Sequence, residues 1–422
     1  MHPMSWMGVL LGCICLFGQT LSVLPYDTLE IQRADSVQID TTLGLDADPQ
    51  IQWLRELAAE ASTPPETEQT FTRRVFLQGS RNLRAFNPEV SVTVDMLATL
   101  QEHREEETPE DHGAAPGNGF HFRLLDIHLQ SSLDPYSVAK AILSFRPEEG
   151  FTVEEAYVVW QNLLPSGRIT LGKFRQQFGK INRWHQHMLD QAFLPPVHQA
   201  FLGEEGLNQT GVSVDWILPS LWATTHEISV QITNTENELL FPGNGWRFPS
   251  WLFHIKNYFE FSPATYLEIG LSGLTGPTEN ASNRFVPGRD WTSLLGMDIT
   301  ISWSPPQQAL YREWIWRAEI LYLKKSVTSG SVLHRWGGYS YTQFRLSRRS
   351  LLGLRVDAVQ PVAIGEEPAF QWQLVPYWTF WQSEYVFLRL EYQRPLGRWG
   401  HRDQRLLLQV DWSFGPHKHE KY

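Results

Sequence analysis

The chain has 422 residues, 42% hydrophobic and 19% charged, an apolar share ordinary for a water-soluble protein, so composition alone excludes neither a soluble nor a membrane class. A net charge of −11 argues against a nucleic-acid binder, which needs a basic face. The two cysteines, Cys13 and Cys15, leave everything after them without disulfides or thiolate metal sites.

The long apolar run is Trp6–Leu24, with small residues around Thr20–Val23. It predicts a signal peptide over 1–23; the lipobox-like Leu10-Leu11-Gly12-Cys13 leaves a lipoprotein signal as the alternative. Residues 24–85 are polar and predict a periplasmic extension. Within it Ile51, Leu54, Leu57 and Ala58 recur at helical spacing, predicting a short helix over 49–61 that Thr63-Pro64-Pro65 ends.

From residue 86 the rhythm changes to period two. Val90, Val92, Val94 and Met96 share one face of Glu89–Leu97. An acidic, Gly/Pro-containing loop follows over 101–119, then a strand over His121–Gln130, with Phe122, Leu124 or Leu125, Ile127 and Leu129 near one face. Pro165-Ser166-Gly167 and Ser262-Pro263 predict tight turns, and Asn234–Gly245 and Leu274–Asp290 predict external loops. Over Glu313–Leu323, Trp314, Trp316, Ala318, Ile320 and Tyr322 oppose Arg317 and Glu319. Arg345, Arg355 with Asp357, Arg389 with Glu391, and Asp411 fall on the polar side of the later strands, down to Leu406–Phe414.

Segments of about 9–11 residues match a tilted strand crossing a bilayer. The 18 Trp and the 13% aromatic share, concentrated at strand ends (Trp251, Trp303, Trp314, Trp378, Trp381, Trp412), fit two interfacial belts better than a sandwich core. The predicted fold is all-β: a closed antiparallel transmembrane β-barrel over 86–422, of about 16 strands with 14 or 18 as alternatives. A barrel leaves no open edge and satisfies every backbone group in lipid.

Several blocks together carry a resemblance to a known family. The resemblance runs through Phe86-Asn87-Pro88-Glu89-Val90-Ser91-Val92, Leu125-Asp126-Ile127-His128-Leu129, Leu133-Asp134-Pro135-Tyr136 and Val153-Glu154-Glu155-Ala156-Tyr157. Its most specific block is Leu171-Gly172-Lys173-Phe174-Arg175-Gln176-Gln177-Phe178-Gly179-Lys180-Ile181-Asn182-Arg183-Trp184-His185-Gln186-His187. It continues at Phe201–Leu207 and Phe414-Gly415-Pro416-His417. Taken together these blocks resemble a family of outer-membrane barrels related to phosphate-selective porins, whose members are often labelled zinc-regulated, TonB-dependent outer-membrane receptors. The receptor label conflicts with chain length, because energised receptors use about 22 strands around a plug. The resemblance therefore implies a porin-like barrel in the cell outer membrane. Its implied surroundings are outer-membrane lipid, lipopolysaccharide and the barrel-assembly machinery, with a homotrimer by analogy.

For such a barrel the lumen is the functional surface. Expected lumenal residues are Lys173, Arg175, Arg317, Glu319, Arg345, Arg355, Asp357, Arg389, Glu391 and Asp411. They form either a ladder of cross-strand ion pairs or an anion-preferring pathway in which guanidinium groups meet phosphate or carboxylate. His185 and His187, two apart, share a face if they lie on a strand. They could bind Zn²⁺ with Asp190 or His198 completing the site, or serve only as polar loop or lumen residues. His417 and His419 read as a solvated tail. No Ser–His spacing picks out a nucleophile and its base, so no enzyme is expected. Three functions compete: passive diffusion of small solutes or ions through a lumen narrowed by an inward loop, a closed barrel with a binding or structural role, and energy-coupled uptake.

Overall fold

The computed structural model describes residues 88–416 except 102–116, 162, 164, 244–247, 279–280, 282–289, 327–330, 364 and 397–403. The leader 1–23, the extension 24–85 with its helix 49–61, and His417 and His419 lie outside the described residues.

The alternating segments form a wall of antiparallel strands. In chain order these are β1 (Glu89–Gln101), β2 (Gly119–Asp134), β3 (Ser137–Arg146), β4 (Gly150–Gln161), β5 (Gly167–Arg175), β6 (Asn208–Leu218), β7 (Thr225–Thr233) and β8 (Ser250–Ser262). The second half comprises β9 (Thr265–Pro277), β10 (Trp291–Trp303), β11 (Glu313–Ser326), β12 (Val332–Ser347), β13 (Ser350–Val359), β14 (Gln371–Trp381), β15 (Val386–Leu396) and β16 (Arg405–Phe414). Each pairs with its chain neighbours, and β16 returns to β1 with Val92 opposite Phe414 and Gln101 opposite Arg405. The barrel is closed with 16 strands, the central value expected from the sequence.

The two ends differ. Pro135-Tyr136, Pro165-Ser166, Pro263-Ala264 and Arg348-Arg349 make tight turns at one end, and Ser166 takes a left-handed φ of 58° there. The opposite end carries the longer connections 102–118, 176–207, 234–249, 278–290 and 360–370. β9 runs on to Pro277, so the loop expected from Leu274 begins only at Thr278. Short turns at one rim and long loops at the other are the outer-membrane pattern.

Side-chain parity separates two environments. Leu271, Leu295, Met297, Ile320, Leu352 and Leu390 stand exposed on the outer wall. Trp251, Trp336 and Trp372 flank this band at the loop end; Trp216, Trp303, Trp378 and Phe414 flank it at the turn end. Thr93, Asp95, Asp298, Thr300, Arg355, Asp357, Gln409 and Asp411 point inward and are buried. A bulge in β2, where Met96 pairs with Phe122 and Asp95 with Leu124, settles the parity that the sequence left open between Leu124 and Leu125. Leu124 turns inward and Leu125 shares the outward face of Ile127.

An apolar outer wall of this depth belongs in hydrocarbon, where a charge at mid-height is costly. Met297→Arg, at the middle of β10, is expected to cost about 2–4 kcal/mol, measured by urea titration of the barrel in lipid vesicles. Leu310→Arg, in the turn between β10 and β11, is expected to stay within about 0.5 kcal/mol. Equal effects at the two sites would contradict a lipid-facing belt.

Candidate functional site: a lumen filled by an inward segment

Between β5 and β6 the chain leaves the wall and folds into the barrel over residues 176–207. Its neck is held shut. The Gln176 amide donates to the Leu207 carbonyl at 2.9 Å. The Asn182 side chain donates to the carbonyls of Gln176 and Leu207 at 2.8 and 3.0 Å and accepts from the Leu207 amide at 2.7 Å. Inside, the segment contains a 3-10 turn, Gln186–Met188, and a helix, α1 (Pro196–Leu202), with a proline at its first position where a missing N–H costs nothing.

Two forces hold this segment. The first is apolar. Phe178, Ile181, Trp184, Met188, Leu189, Val197, Phe201 and Leu202 pack with inward-facing Leu252, Leu274, Leu294, Leu321, Leu323 and Val359 into one buried cluster. Gly337 makes room for α1, since a Cβ there would sit 2.5 Å from Val197.

The second is a set of charge-assisted contacts from wall to segment. Glu319, 2% exposed, accepts from the amides of Lys180 and Ile181 at 2.8 and 3.1 Å and faces His198 Nε2 at 3.1 Å. Gly179 has a φ of +60°, and a Cβ on it would lie 2.5 Å from the Glu319 carboxylate, so only glycine admits this approach. Lys180 Nζ reaches Glu268 at 2.7 Å. Arg317 donates to Asp190 at 2.8 Å and lies over the Trp184 ring. Arg355 donates to Asp357 at 3.0 Å and to the Phe193 carbonyl at 3.0 Å. Arg389 donates to Gln409 and to the Leu189 carbonyl, and Glu391 accepts from the Ala192 amide at 2.8 Å. Arg175, at the end of β5, pairs with Glu154.

Eight of the ten expected lumenal residues are therefore buried inside: Arg175, Arg317, Glu319, Arg355, Asp357, Arg389, Glu391 and Asp411. Asp411 lies opposite Asp95 in the closing seam. Arg345 shares the inward face of buried Tyr341 and Gln343 but lies near the turn end, where it is less enclosed, and Lys173 alone faces outward. Arg345 pairs with Glu313 directly across β11 and β12 at 2.9 Å, partly exposed near the turn end. Lys173 shares the outward face of half-exposed Leu171 on β5, and its ammonium donates to the Val153 carbonyl at 2.8 Å. The expected ladder of cross-strand pairs fits Arg345–Glu313; most of the buried charges instead meet the inward segment.

His185 and His187 are not on a strand. They bracket Gln186 at the 3-10 turn, with rings nearly parallel and 5.8 Å apart. His185 Nδ1 lies 3.3 Å from Glu154 and Nε2 lies 3.2 Å from Glu155. Burial opposes its charged form, but the two carboxylates outweigh burial and push its pKa up to about 9. His187 instead faces Asp126 at 3.5 Å, with His128 edge-on at 5.3 Å. Asp190 is held by Arg317 and Tyr341, and His198 by Glu319, so neither joins the two histidines. Asp126 and His128 take that place. The sequence signal for them was parity: two apart in Leu125-Asp126-Ile127-His128-Leu129, both fall on the inward face of β2.

No family model matches the chain. A protein of Aquifex aeolicus, described only as uncharacterized, is 27% identical over 358 residues, covering 73% of each chain. Among solved structures, the anion-selective porin from Comamonas acidovorans matches with a TM-score of 0.51 at 10% identity over 78% of this chain and 99% of that one. OprB of Pseudomonas putida gives 0.51 at 9% identity over 78% and 94%. The outer membrane channel DcaP of Acinetobacter baumannii gives 0.50 at 10% identity over 78% and 96%. At such identities the likeness is one of fold: an outer-membrane barrel of the porin and channel type. The TonB-dependent receptor label gains no support, since the barrel closes with 16 strands where such receptors use about 22.

Breaking one wall-to-segment contact leaves a buried charge without its partner. Arg317→Met, which leaves buried Asp190 without its cation and with the Tyr341 hydroxyl still donating to it, is expected to destabilise by about 3–5 kcal/mol and to admit protease to 176–207. Arg345→Met, in a partly exposed pair, is expected to cost no more than about 1 kcal/mol. Urea midpoints and limited proteolysis in detergent check both.

Proposed function

We propose that this chain is a porin-like channel of the outer membrane for passive diffusion of small solutes or ions, with its conductance set by residues 176–207. The observation that carries this reading is the anchoring of that segment across the lumen to β2, β4, β9, β11, β12, β13 and β15. A peptide held at that many points narrows the passage and fixes what can pass. In a wide water-filled lumen inward side chains stay wet. Here Asp298, Thr300 and Arg355 are each 1% exposed, which supports a narrow passage.

Selectivity follows from the same contacts. Arg175, Arg317, Arg355 and Arg389 already hold carboxylates or carbonyl oxygens, and a guanidinium so engaged is a poor binder of a passing anion. The reading is therefore weak charge preference, with size as the main filter. A second reading, a non-conducting barrel with a binding or structural role, draws support from the apolar cluster that fills the loop half of the lumen. Lipid and lipopolysaccharide are the surroundings proposed for the Trp-flanked outer wall.

Arg175 pairs with Asn208 in register, so Gln177–Gly206 can be replaced by an Asn-Gly turn without shifting the wall. In planar bilayers the intact protein is expected to give small unitary steps with a reversal potential near zero in asymmetric salt, and the shortened variant several-fold larger steps. Equal conductance in both would sink the channel-setting role of the segment. A silent intact protein beside a conducting variant would establish the closed-barrel reading instead.

A further inference from the structure

We infer that Asp126, His128 and His187 form a site for one divalent late first-row transition-metal ion, which would join β2 to the inward segment. Each residue offers one ligand atom, and the three atoms lie within 4.8 Å of one another. Two imidazoles with one carboxylate suit zinc, cobalt, nickel or iron rather than calcium or magnesium, which want more oxygen donors.

The surroundings are those of a prepared site. Asp126 and His128 share the inward face of β2, so the wall fixes their spacing. The Asp126 Oδ1 accepts from Ser144 Oγ at 2.5 Å, leaving Oδ2 turned to His187 Nδ1 at 3.5 Å. An outer partner of this kind orients a ligating carboxylate. His185 is excluded as a ligand because both of its nitrogens face Glu154 and Glu155. Held there, its ring stacks beside His187 and steadies it. Bonds of about 2.0–2.1 Å require the donor atoms to draw in by roughly 1 Å, within the reach of side-chain rotation. Three protein ligands leave a fourth position open, and a cavity lined by Ser91, His128, Glu155, Arg183 and His187 gives access. Because two ligands belong to the wall and one to the segment, a bound ion would fasten the turn at Gln186–Met188 to β2.

The site stands on this geometry and does not depend on whether the barrel conducts. Cobalt(II) chloride added to the chelator-stripped, detergent-folded protein is expected to give visible d–d absorption saturating at one ion per chain, which zinc chloride then displaces. His187→Ala and His128→Gln are each expected to weaken binding by at least about tenfold, while His334→Ala, in the Tyr322 pair near the loop rim, leaves it unchanged. Heat-modifiable gel migration reports folding of each variant. Absence of a saturable spectrum in the intact protein overturns the site, as does wild-type binding in folded His187→Ala or His128→Gln. The intact-protein spectrum decides the matter if a variant fails to fold.

Discussion

The structure depends on one seam. In lipid an open sheet edge would leave backbone N–H and C=O groups without partners, at several kcal/mol each. Pairing of β1 with β16 removes that edge, and everything else follows from the ring so formed. Closure divides each strand into a lipid face and an enclosed face. The lipid face favours apolar side chains and interfacial aromatics, with Lys173 an exception toward the loop end of β5. The enclosed face is then free to carry charge, provided something meets it.

What meets it is the chain itself. Water is the usual partner of lumenal charges in wide barrels, yet here Glu319, Arg317, Arg355, Arg389 and Glu391 bind backbone groups and side chains of residues 176–207. These contacts work alongside a dry cluster of Phe178, Trp184 and Phe201 against Leu294 and Leu321. The two supports are coupled. Glu319 can reach the Lys180 and Ile181 amides only because Gly179 lacks a side chain, and that reach seats Ile181 and Trp184 in the apolar cluster. A buried charge without such partners would be strongly destabilising, so segment and wall hold each other in place.

Much of the wall was legible from the residues. Strict alternation over Glu313–Leu323, Leu351–Asp357 and Leu406–Phe414 fixed which side of β11, β13 and β16 faces lipid, and the Trp positions marked the rims, except Trp381, which shares the inward face of Thr379 and packs on buried Phe387. The inward segment was not legible in the same way. Leu171–Arg175 is strand, but in the residues that follow Phe178, Ile181 and Trp184 are spaced by three, a rhythm that fits no strand. Treating His185 and His187 as strand neighbours missed this change. A second clue lay on the wall: Leu321 and Leu323 continue the face of Arg317 and Glu319, so the enclosed side turns apolar toward the loop end. Parity tells which way a side chain points, but not what it meets; that depends on contacts between residues far apart in sequence, as between Asp190 and Arg317.

The seam also bears on how the molecule assembles. Thr93 and Ser413, hydrogen-bonded across it, are 320 positions apart, whereas every other strand pairing joins elements consecutive along the chain. The largest loop-closure entropy of the fold therefore falls on this one pairing. The interior cluster draws on the segment after β5 and on β8 to β13, all within the middle of the sequence. That middle can gather around its own dry nucleus first, curving the sheet, so that the terminal strands arrive to find the gap between them already narrow.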